Sequence, residues 1–509
     1  MSNKITTDIW ILDSNLNRIT KILSPWPLDK GGMILRYSKE LDEFGQCTFR
    51  ISAYDPILQQ FGDILMPHKY WVQLVRGQQV IWQGPIIQNA KRTKDYIEVN
   101  AAEPLWYLDK VLIQRTSLDP SGAGATPTPT SLTMSGTTAT ITFGQNINQI
   151  NTNNTQAVPP KVNDTIALSG FTPSGLNGIW QVSAVTANTI TVINVTGGPY
   201  TVSTMGTVTL SDGIFRTFGA SVGPSGGTTT GLAVTMAQVV TNLLNETIAT
   251  FQANNAGHAL SGLTLGTVNN PNYPPNITNG KTPPADLTGP WYFGDGTTAP
   301  KLSFDYHSVL YVLKSLGIYS YADFYIDNNL TFNFVPFKGN NLTQKVNFNW
   351  GGPNNTPANI INYNLPRFGQ RMYNDLYGVA TDNNGVMLHF DGTDQNSIST
   401  YGLIQGVASY TDVHDQATLN ARIQAEIPLI NAPDSTAISI TLNEKGYPIG
   451  YYDVGDVVTV NIQNKAVSFN DTRRIVGISI QLHNTGREFT TVQTNKVLPF
   501  QIAALGSPQ

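Results

Sequence analysis

The sequence predicts a mainly β, multidomain protein with a few helices. Three observations lead there. Short apolar runs with a period of two recur between Gly, Pro and Asn turns. Charged residues make up only 13% of the chain, and Asn, Thr, Ser and Gly take their place. Those side chains suit strands and turns, and they can be buried at protein contacts without the desolvation cost of an ion. Finally, 509 residues exceed what one hydrophobic core holds, so three to five domains are expected.

Residues 1–115 read as a small β-barrel or sandwich. Asp8-Ile-Trp-Ile-Leu-Asp13 is a short apolar run with a turn at Ser14-Asn15, and Met33–Tyr37 and Gln46–Ile51 continue the pairing. Tyr70–Val75, Arg76-Gly77 and Val80-Ile-Trp82 form a hairpin signal, and Ile86–Ala90 and Tyr96–Ala101 close the set. Ser121–Thr130 is a linker by composition, because Gly, Pro and Thr give it nothing to bury. Residues 125–215 then form a nearly charge-free, Thr- and Val-rich inserted β-domain, with strands at Lys161–Phe171, Leu176–Val182 and Thr189–Ile193.

Residues 216–345 predict an α+β domain. After a soft segment at Gly219–Gly231, Met236, Val239, Val240, Leu243, Leu244, Ile248 and Phe251 fall at helical spacing, behind Thr235 as N-cap. Asn254–Thr288 is a Pro, Asn and Gly tract. A second helix spans about Asp305–Leu316 and stops at Gly317, followed by strands at Ala322–Ile326 and Leu330–Val335. Residues 346–500 are again β, with a helix between about Asp412 and Ile427 and strands at Ile438–Leu442, Asp456–Ile462 and Arg474–Leu482; residues 501–509 are a tail.

The formal charge of −4 and a pI near 5.9 argue against a nucleic-acid binder, since phosphate contacts need clustered Lys and Arg and no such cluster is read. Cys47 stands alone, so no internal disulfide forms, and it is expected buried on a strand. No signal peptide and no 18-residue apolar span are read, which predicts assembly in the cytosol.

The sequence assigns no catalytic, cofactor-binding or metal-ligating residue, and no cofactor. Ser225 in Gly223-Pro-Ser-Gly-Gly227 matches a nucleophile elbow formally, but Phe218–Val222 is not the buried strand an elbow needs, so a linker is favoured. The histidines at 68, 258, 307, 389, 414 and 483 never take metal-ligand spacing. Asp382-Asn-Asn-Gly385 resembles part of a calcium loop but lacks the later Glu, so a hairpin turn is favoured, and Asp391-Gly-Thr-Asp394 is read with the same reserve. Trp180, Tyr200, Trp291 and Tyr292 are candidate sugar-stacking aromatics; core packing is the favoured role for Trp180, and a contact anchor for the run Trp291-Tyr292-Phe293.

In their order, several passages resemble the siphophage minor tail proteins that form the baseplate hub, a family related in fold to the hub of contractile-tailed phages. On the amino side they are Ile9–Asp13, Phe44–Ile51 with Tyr54-Asp-Pro56, and Trp71–Val75 through Ile81–Gly84. On the carboxyl side they are Ser308–Leu313, Asn374–Val379, Ser397–Gly402, Val454–Val460 and Arg474–Ile478. They cover most of residues 1–115 and 300–500. The resemblance implies a non-enzymatic virion protein with two hub-type β-barrels per chain, so that a homotrimer gives six similar barrels and adapts a sixfold tail tube to a threefold tip. It implies distal tail protein, tail tube, tape-measure protein and tail-tip or fibre proteins as partners, a channel for tape-measure protein and DNA, no specific nucleic-acid binding and no membrane span. Many relatives extend into a peptidoglycan-cleaving or fibre-like tail; this chain ends soon after Val497, and that activity is not implied. Residues 125–215 depart from the minimal pattern, and Val162–Ile166 and Leu176–Trp180 are similar to small β-modules that decorate phage structural proteins. The insert is therefore expected to project outward, toward a neighbouring tail protein or the host surface. Two other functions stay open: a glycan-binding adhesin with the insert as binding module, and a hydrolase built from distant Asp, Glu and His residues.

Overall fold

The computed structural model describes residues 7–112, 129–210, 234–272, 292–293 and 307–497, apart from 24, 62–63, 145, 148–150, 153–154, 157–161, 163–164, 194, 196–198, 255–257, 352–357, 367–371, 383–384, 412, 433–436, 444–449 and 465–466. It is mainly β with few helices, as the sequence predicts.

The amino-terminal segment contains β1 (Thr7–Leu12), β2 (Arg18–Ile22), β3 (Met33–Glu40), β4 (Gln46–Ser52), α1 (Pro56–Phe61), β5 (Trp71–Arg76), β6 (Gln79–Arg92), β7 (Tyr96–Ala102) and α2 (Trp106–Lys110). Period-two burial is clearest in β4, where Cys47, Phe49 and Ile51 point inward. The Asp13 carboxylate accepts the backbone N–H groups of Asn15 (2.9 Å) and Asn17 (2.8 Å), which turns β1 into β2. The strands run in the order β2-β1-β5-β6-β7-β4-β3. The 14-residue β6 serves two partners: its first half pairs with β5 and its second with β7. Just after β2, Trp26 donates its N–H to the Arg50 carbonyl (2.8 Å) and bridges back to β4. That bridge closes β2, β1, β5, β6, β7 and β4 into a barrel, with β3 left over on the outside of β4.

The insert holds β8 (Pro129–Ser135), β9 (Thr138–Phe143), β10 (Asn151–Thr152), β11 (Thr155–Gln156), β12 (Thr165–Ser169), β13 (Gly178–Val185), β14 (Thr189–Ile193) and β15 (Thr207–Leu210). Six of them form an antiparallel sheet in the order β15-β12-β13-β14-β9-β8. Its core of Ile141, Phe143, Ile166, Val182 and Val192 shares no residue with the cores elsewhere. A chain lacking residues 125–213 is therefore expected to keep its remaining fold and its assembly state; circular dichroism and light scattering check this, and a loss of assembly would place the insert inside the contact.

Next come β16 (Val234–Thr235), α3 (Met236–Asn254), β17 (Thr264–Val268), β18 (Tyr292–Phe293), α4 (Val309–Ser320), β19 (Asp323–Ile326) and β20 (Thr331–Val335). All seven apolar positions predicted for the first helix are buried in α3. They join α4, β19 and β20 in one core with Leu12, Trp71, Leu105 and Leu108, so this unit is packed on the first barrel. Ala237 N–H donates to Asn270 Oδ1 (3.1 Å), so a distant side chain satisfies an amide at the start of α3. The expectation that the second helix stops at Gly317 is corrected. Ser308 Oγ caps α4, which runs one turn past Gly317 to Ser320 and ends at Tyr321, whose φ of 54° is left-handed. Burial of Tyr319 and the hydrogen bond from the Tyr321 hydroxyl to the Ala425 carbonyl reward that extra turn and outweigh the glycine stop signal.

The carboxyl-terminal segment holds β21 (Asn347–Trp350), β22 (Ile360–Asn364), β23 (Asp375–Thr381), β24 (Met387–Thr393), α5 (Gln395–Tyr401), β25 (Gln405–Tyr410), α6 (Gln416–Ile430), β26 (Ile438–Leu442), β27 (Val457–Gln463), β28 (Ser468–His483) and β29 (Glu488–Lys496). Six of these strands follow one another as β21-β27-β28-β29-β26-β22. Asn359 closes that ring. Its N–H donates to the Asn349 carbonyl (3.1 Å), its Oδ1 accepts the Asn349 N–H (2.8 Å) and its Nδ2 reaches the Asn347 carbonyl (2.8 Å). The 16-residue β28 pairs with β27 through Ser468–Arg474 and with β3 through Gly477–His483. Because β3 and β28 are hydrogen-bonded neighbours, the two barrels share one 13-stranded sheet. Their interiors also form one continuous core, running from Phe49 and Trp82 to Val460 and Ile480. Bending between the two barrels would break both the shared ladder and the shared core, so the pair forms one rigid body. Strands β23, β24 and β25 make a separate small sheet, and α6 covers one of its faces with Leu419, Ile423 and Ile427.

Candidate assembly site

The densest chemistry among the described residues lies where the barrels meet the helical unit, and it is ionic. Arg474 on β28 grips the Asp323 carboxylate of β19 with both terminal nitrogens, Nη1 at 3.1 Å, while Nε donates to the Gly455 carbonyl (3.1 Å) and Nη2 to that of Lys338 (3.0 Å). Its guanidinium lies 3.7 Å from the centre of the Phe337 ring. Both members of the pair are buried. Asp42, at the end of β3, accepts the Phe324 N–H (2.8 Å). Burial and the neighbouring Asp323 hold its carboxyl well above the usual carboxylate range. Asp456 accepts the N–H groups of Asn340 and Asp453, both at 2.7 Å, and burial raises it too. Asp453 differs: burial pushes it up, but Lys39 (3.1 Å) and Lys338 outweigh that and hold it below the normal value.

Glu103 closes the cluster, accepting the Gly45 N–H at 2.7 Å. Burial is the largest influence on it and lifts its carboxyl from 4.5 to about 7, against the pull of Lys39 and Lys338. The folded state therefore holds this proton more tightly than the unfolded chain, so the stabilisation is complete below about pH 4.5 and is lost as pH rises through about 7. Glu103→Gln is expected to remove that part of the pH dependence, on the order of 2 kcal/mol after discounting for partial exposure. Urea midpoints between pH 5 and 8 check it; unchanged slopes in the variant would assign the pH dependence elsewhere.

The residues singled out in the sequence do not converge. The His258 ring spans the His68 carbonyl (Nε2, 3.1 Å) and the Leu260 N–H (Nδ1, 3.2 Å), and the His68 ring stacks on Trp106. His307 stacks on Tyr311, His414 meets the Thr381 carbonyl, and His483 meets that of Gly31. Among the described residues, no group of three His, Cys, Asp or Glu is arranged to hold a metal, and no helix is long and apolar enough to cross a membrane. Asp382 Oδ1 accepts the Val386 N–H (2.7 Å) in the β23–β24 hairpin. Asp391 lies on β24 opposite Tyr377, and Asp394 caps α5. Trp180 is half-buried against the insert core and donates Nε1 to the Leu176 carbonyl (2.8 Å), and Tyr200 packs on the same core. Ser225 and Trp291 lie outside the described residues, and of Tyr292 only its place on β18 is described.

One expectation from composition is corrected. Lys91, Arg92 and Lys94 crowd into four positions at the tip of the β6–β7 hairpin, all exposed. The whole-chain charge of −4 conceals them.

No protein-family model matches the chain, and no curated protein matches it. The solved structures it is similar to are phage tail and hub-type proteins. A tail protein from Neisseria meningitidis MC58 is 8% identical over 96% of both chains at a TM-score of 0.48. The 43 kDa tail protein of prophage MuSo2 from Shewanella oneidensis is 9% identical over 96% of this chain and 98% of that one, at 0.45. A prophage tail protein from Listeria monocytogenes EGD-e is 11% identical over 98% of both, at 0.43.

Proposed function

We propose that this chain is a non-enzymatic structural protein of a phage tail tip, acting as a homotrimeric baseplate hub. The observation that supports it is the fusion of two closed six-membered β-rings into one rigid body, through β3 and β28. One chain then presents two related but inequivalent barrels, and three chains around an axis present six. Such a ring meets a sixfold tube on one side and a threefold tip on the other. Its lumen would pass tape-measure protein and DNA. Distal tail protein, tail tube and tail-tip or fibre proteins would be its neighbours in the virion, after assembly in the host cytoplasm.

The purified protein should scatter light as a species close to three times 55.4 kDa and show a threefold ring of six lobes in negative stain. A monomer at every concentration up to those used for imaging would end this reading. A second function, glycan adhesion by the insert, draws on the uncharged outer face of its sheet, where Thr133, Thr140 and Thr191 stand in register. Retention of the full chain on host cell-wall polysaccharide, lost on deleting residues 125–213, would support it.

A further inference from the structure

One imidazole ties the helical unit to the first barrel. His258 stands between α3 and β17, half-buried, at the start of a single helical turn, Ala259–Gly262, which it caps. Its Nδ1 lies 3.2 Å from the Leu260 nitrogen on its own side, and its Nε2 lies 3.1 Å from the His68 carbonyl oxygen on the barrel side. A carbonyl only accepts, so Nε2 must carry a hydrogen; an amide N–H only donates, so Nδ1 must be bare. The neutral ring with its hydrogen on Nε2 is the one form that makes both bonds.

The surroundings fix the ring in that place. Trp71 of β5 and Tyr107 of α2 pack against it, with ring centres at 6.3 and 6.1 Å. The next residue, Ala259, donates its N–H to the Ser14 carbonyl in the turn after β1, a second tie to the barrel. His68 presents its carbonyl from a left-handed backbone, φ 64°, which costs energy in a residue with a side chain. The charged groups on the elements packed around His258 are engaged elsewhere. The Asp13 carboxylate holds the N–H groups of Asn15 and Asn17, Lys69 lies over the Tyr70 ring (5.4 Å), and Asp109 pairs with Lys110 (2.6 Å). The other imidazole nearby, that of His68, stacks on Trp106.

We infer that His258 is an acid-sensitive latch between the helical unit and the first barrel. A proton added to Nδ1 turns that atom from an acceptor into a donor aimed at the Leu260 N–H. The capping bond is lost, and the turn Ala259–Gly262 loosens from the barrel together with the start of β17. Imidazole is the side chain that makes this change between about pH 8 and 5. The contact therefore stabilises above that window and weakens as pH falls through it, opposite in sign to the effect of Glu103. The inference concerns the single chain and holds whatever its assembly.

The test is amide hydrogen exchange of the full chain read by mass spectrometry at about pH 8 and about pH 5, each corrected for the intrinsic exchange rate. Peptides covering residues 258–264 should lose protection about fivefold or more at the lower pH, the worth of one capping bond, while peptides from β4 should not. His258→Asn keeps an acceptor for the Leu260 N–H but takes up no proton, so its protection there should be equal at both pH values. If circular dichroism shows that variant unfolded, His258→Ser, whose hydroxyl can accept the same N–H, takes its place. His68→Asn removes a ring but leaves the carbonyl, and should respond as the wild type does. A wild type indifferent to pH, a loss at low pH that His258→Asn shares, or a response abolished by His68→Asn would each overturn the latch.

Discussion

Arg474→Ala is expected to destabilise the folded chain by about 3–5 kcal/mol, a large share of the roughly 5–15 kcal/mol that holds a typical protein together. The magnitude comes from what the substitution leaves behind. Asp323 is 1% exposed and would lose its bidentate partner. The Gly455 and Lys338 carbonyls would each lose a donor, and Phe337 a cation against its ring. Asp42 cannot compensate, since its carboxylate already accepts the Phe324 N–H and a second carboxylate so close to Asp323 opposes its charge rather than pairing with it. Asp323→Ala should cost a similar amount for the mirror reason. Removing both ends, as in Arg474→Ala/Asp323→Ala, should cost less than the two single losses added, because no uncompensated ion then remains buried. Urea or thermal unfolding of the four proteins closes the cycle. Strict additivity would mean that the pair is not coupled, and a loss under 1 kcal/mol for Arg474→Ala would mean that water reaches the site.

The pair also shows which parts of this molecule the sequence could disclose. Strand periodicity exposed β4 through Cys47, Phe49 and Ile51, and helical periodicity exposed α3 through its seven buried positions, because both signals lie within a few residues of chain. Asp323 and Arg474 are 151 positions apart, and no local pattern marks either as half of an ion pair. The ring closures are equally silent, since Trp26 meets Arg50 through backbone atoms that any residue supplies. Long strands hid their double pairing too. A 16-residue β28 reads as one strand, and only the register shows that its second half belongs to β3. The run Lys91-Arg92-Thr93-Lys94 was present in the sequence, but averaging charge over 509 residues erased it. Charge must be read by segment before a partner class is set aside.

Gly84→Ala should be as damaging as the loss of Arg474, though it adds only one methyl group. At Gly84, β6 leaves β5 for β7: Gly84 pairs with Val72 on one side, and two residues later Ile86 pairs with Ala101 on the other. The crossing brings backbone onto backbone. A Cβ at residue 84 would lie 1.7 Å from the Ala102 carbonyl oxygen and 2.6 Å from its carbon. No rotamer relieves that overlap, so β6 and β7 must separate, and with them the wall that carries Trp82 and Ile86 in the core shared by both barrels. A cost of about 3 kcal/mol or more is expected, toward the upper end for overpacking. Gly77→Ala supplies the control, because residue 77 sits at φ 62° with no atom within 4 Å of its Cβ, so only the left-handed backbone is charged, about 1 kcal/mol. If unfolding midpoints placed the two variants level, the close crossing of β6 over β7 would be refuted, and the single rigid body built from two barrels would lose its tightest joint.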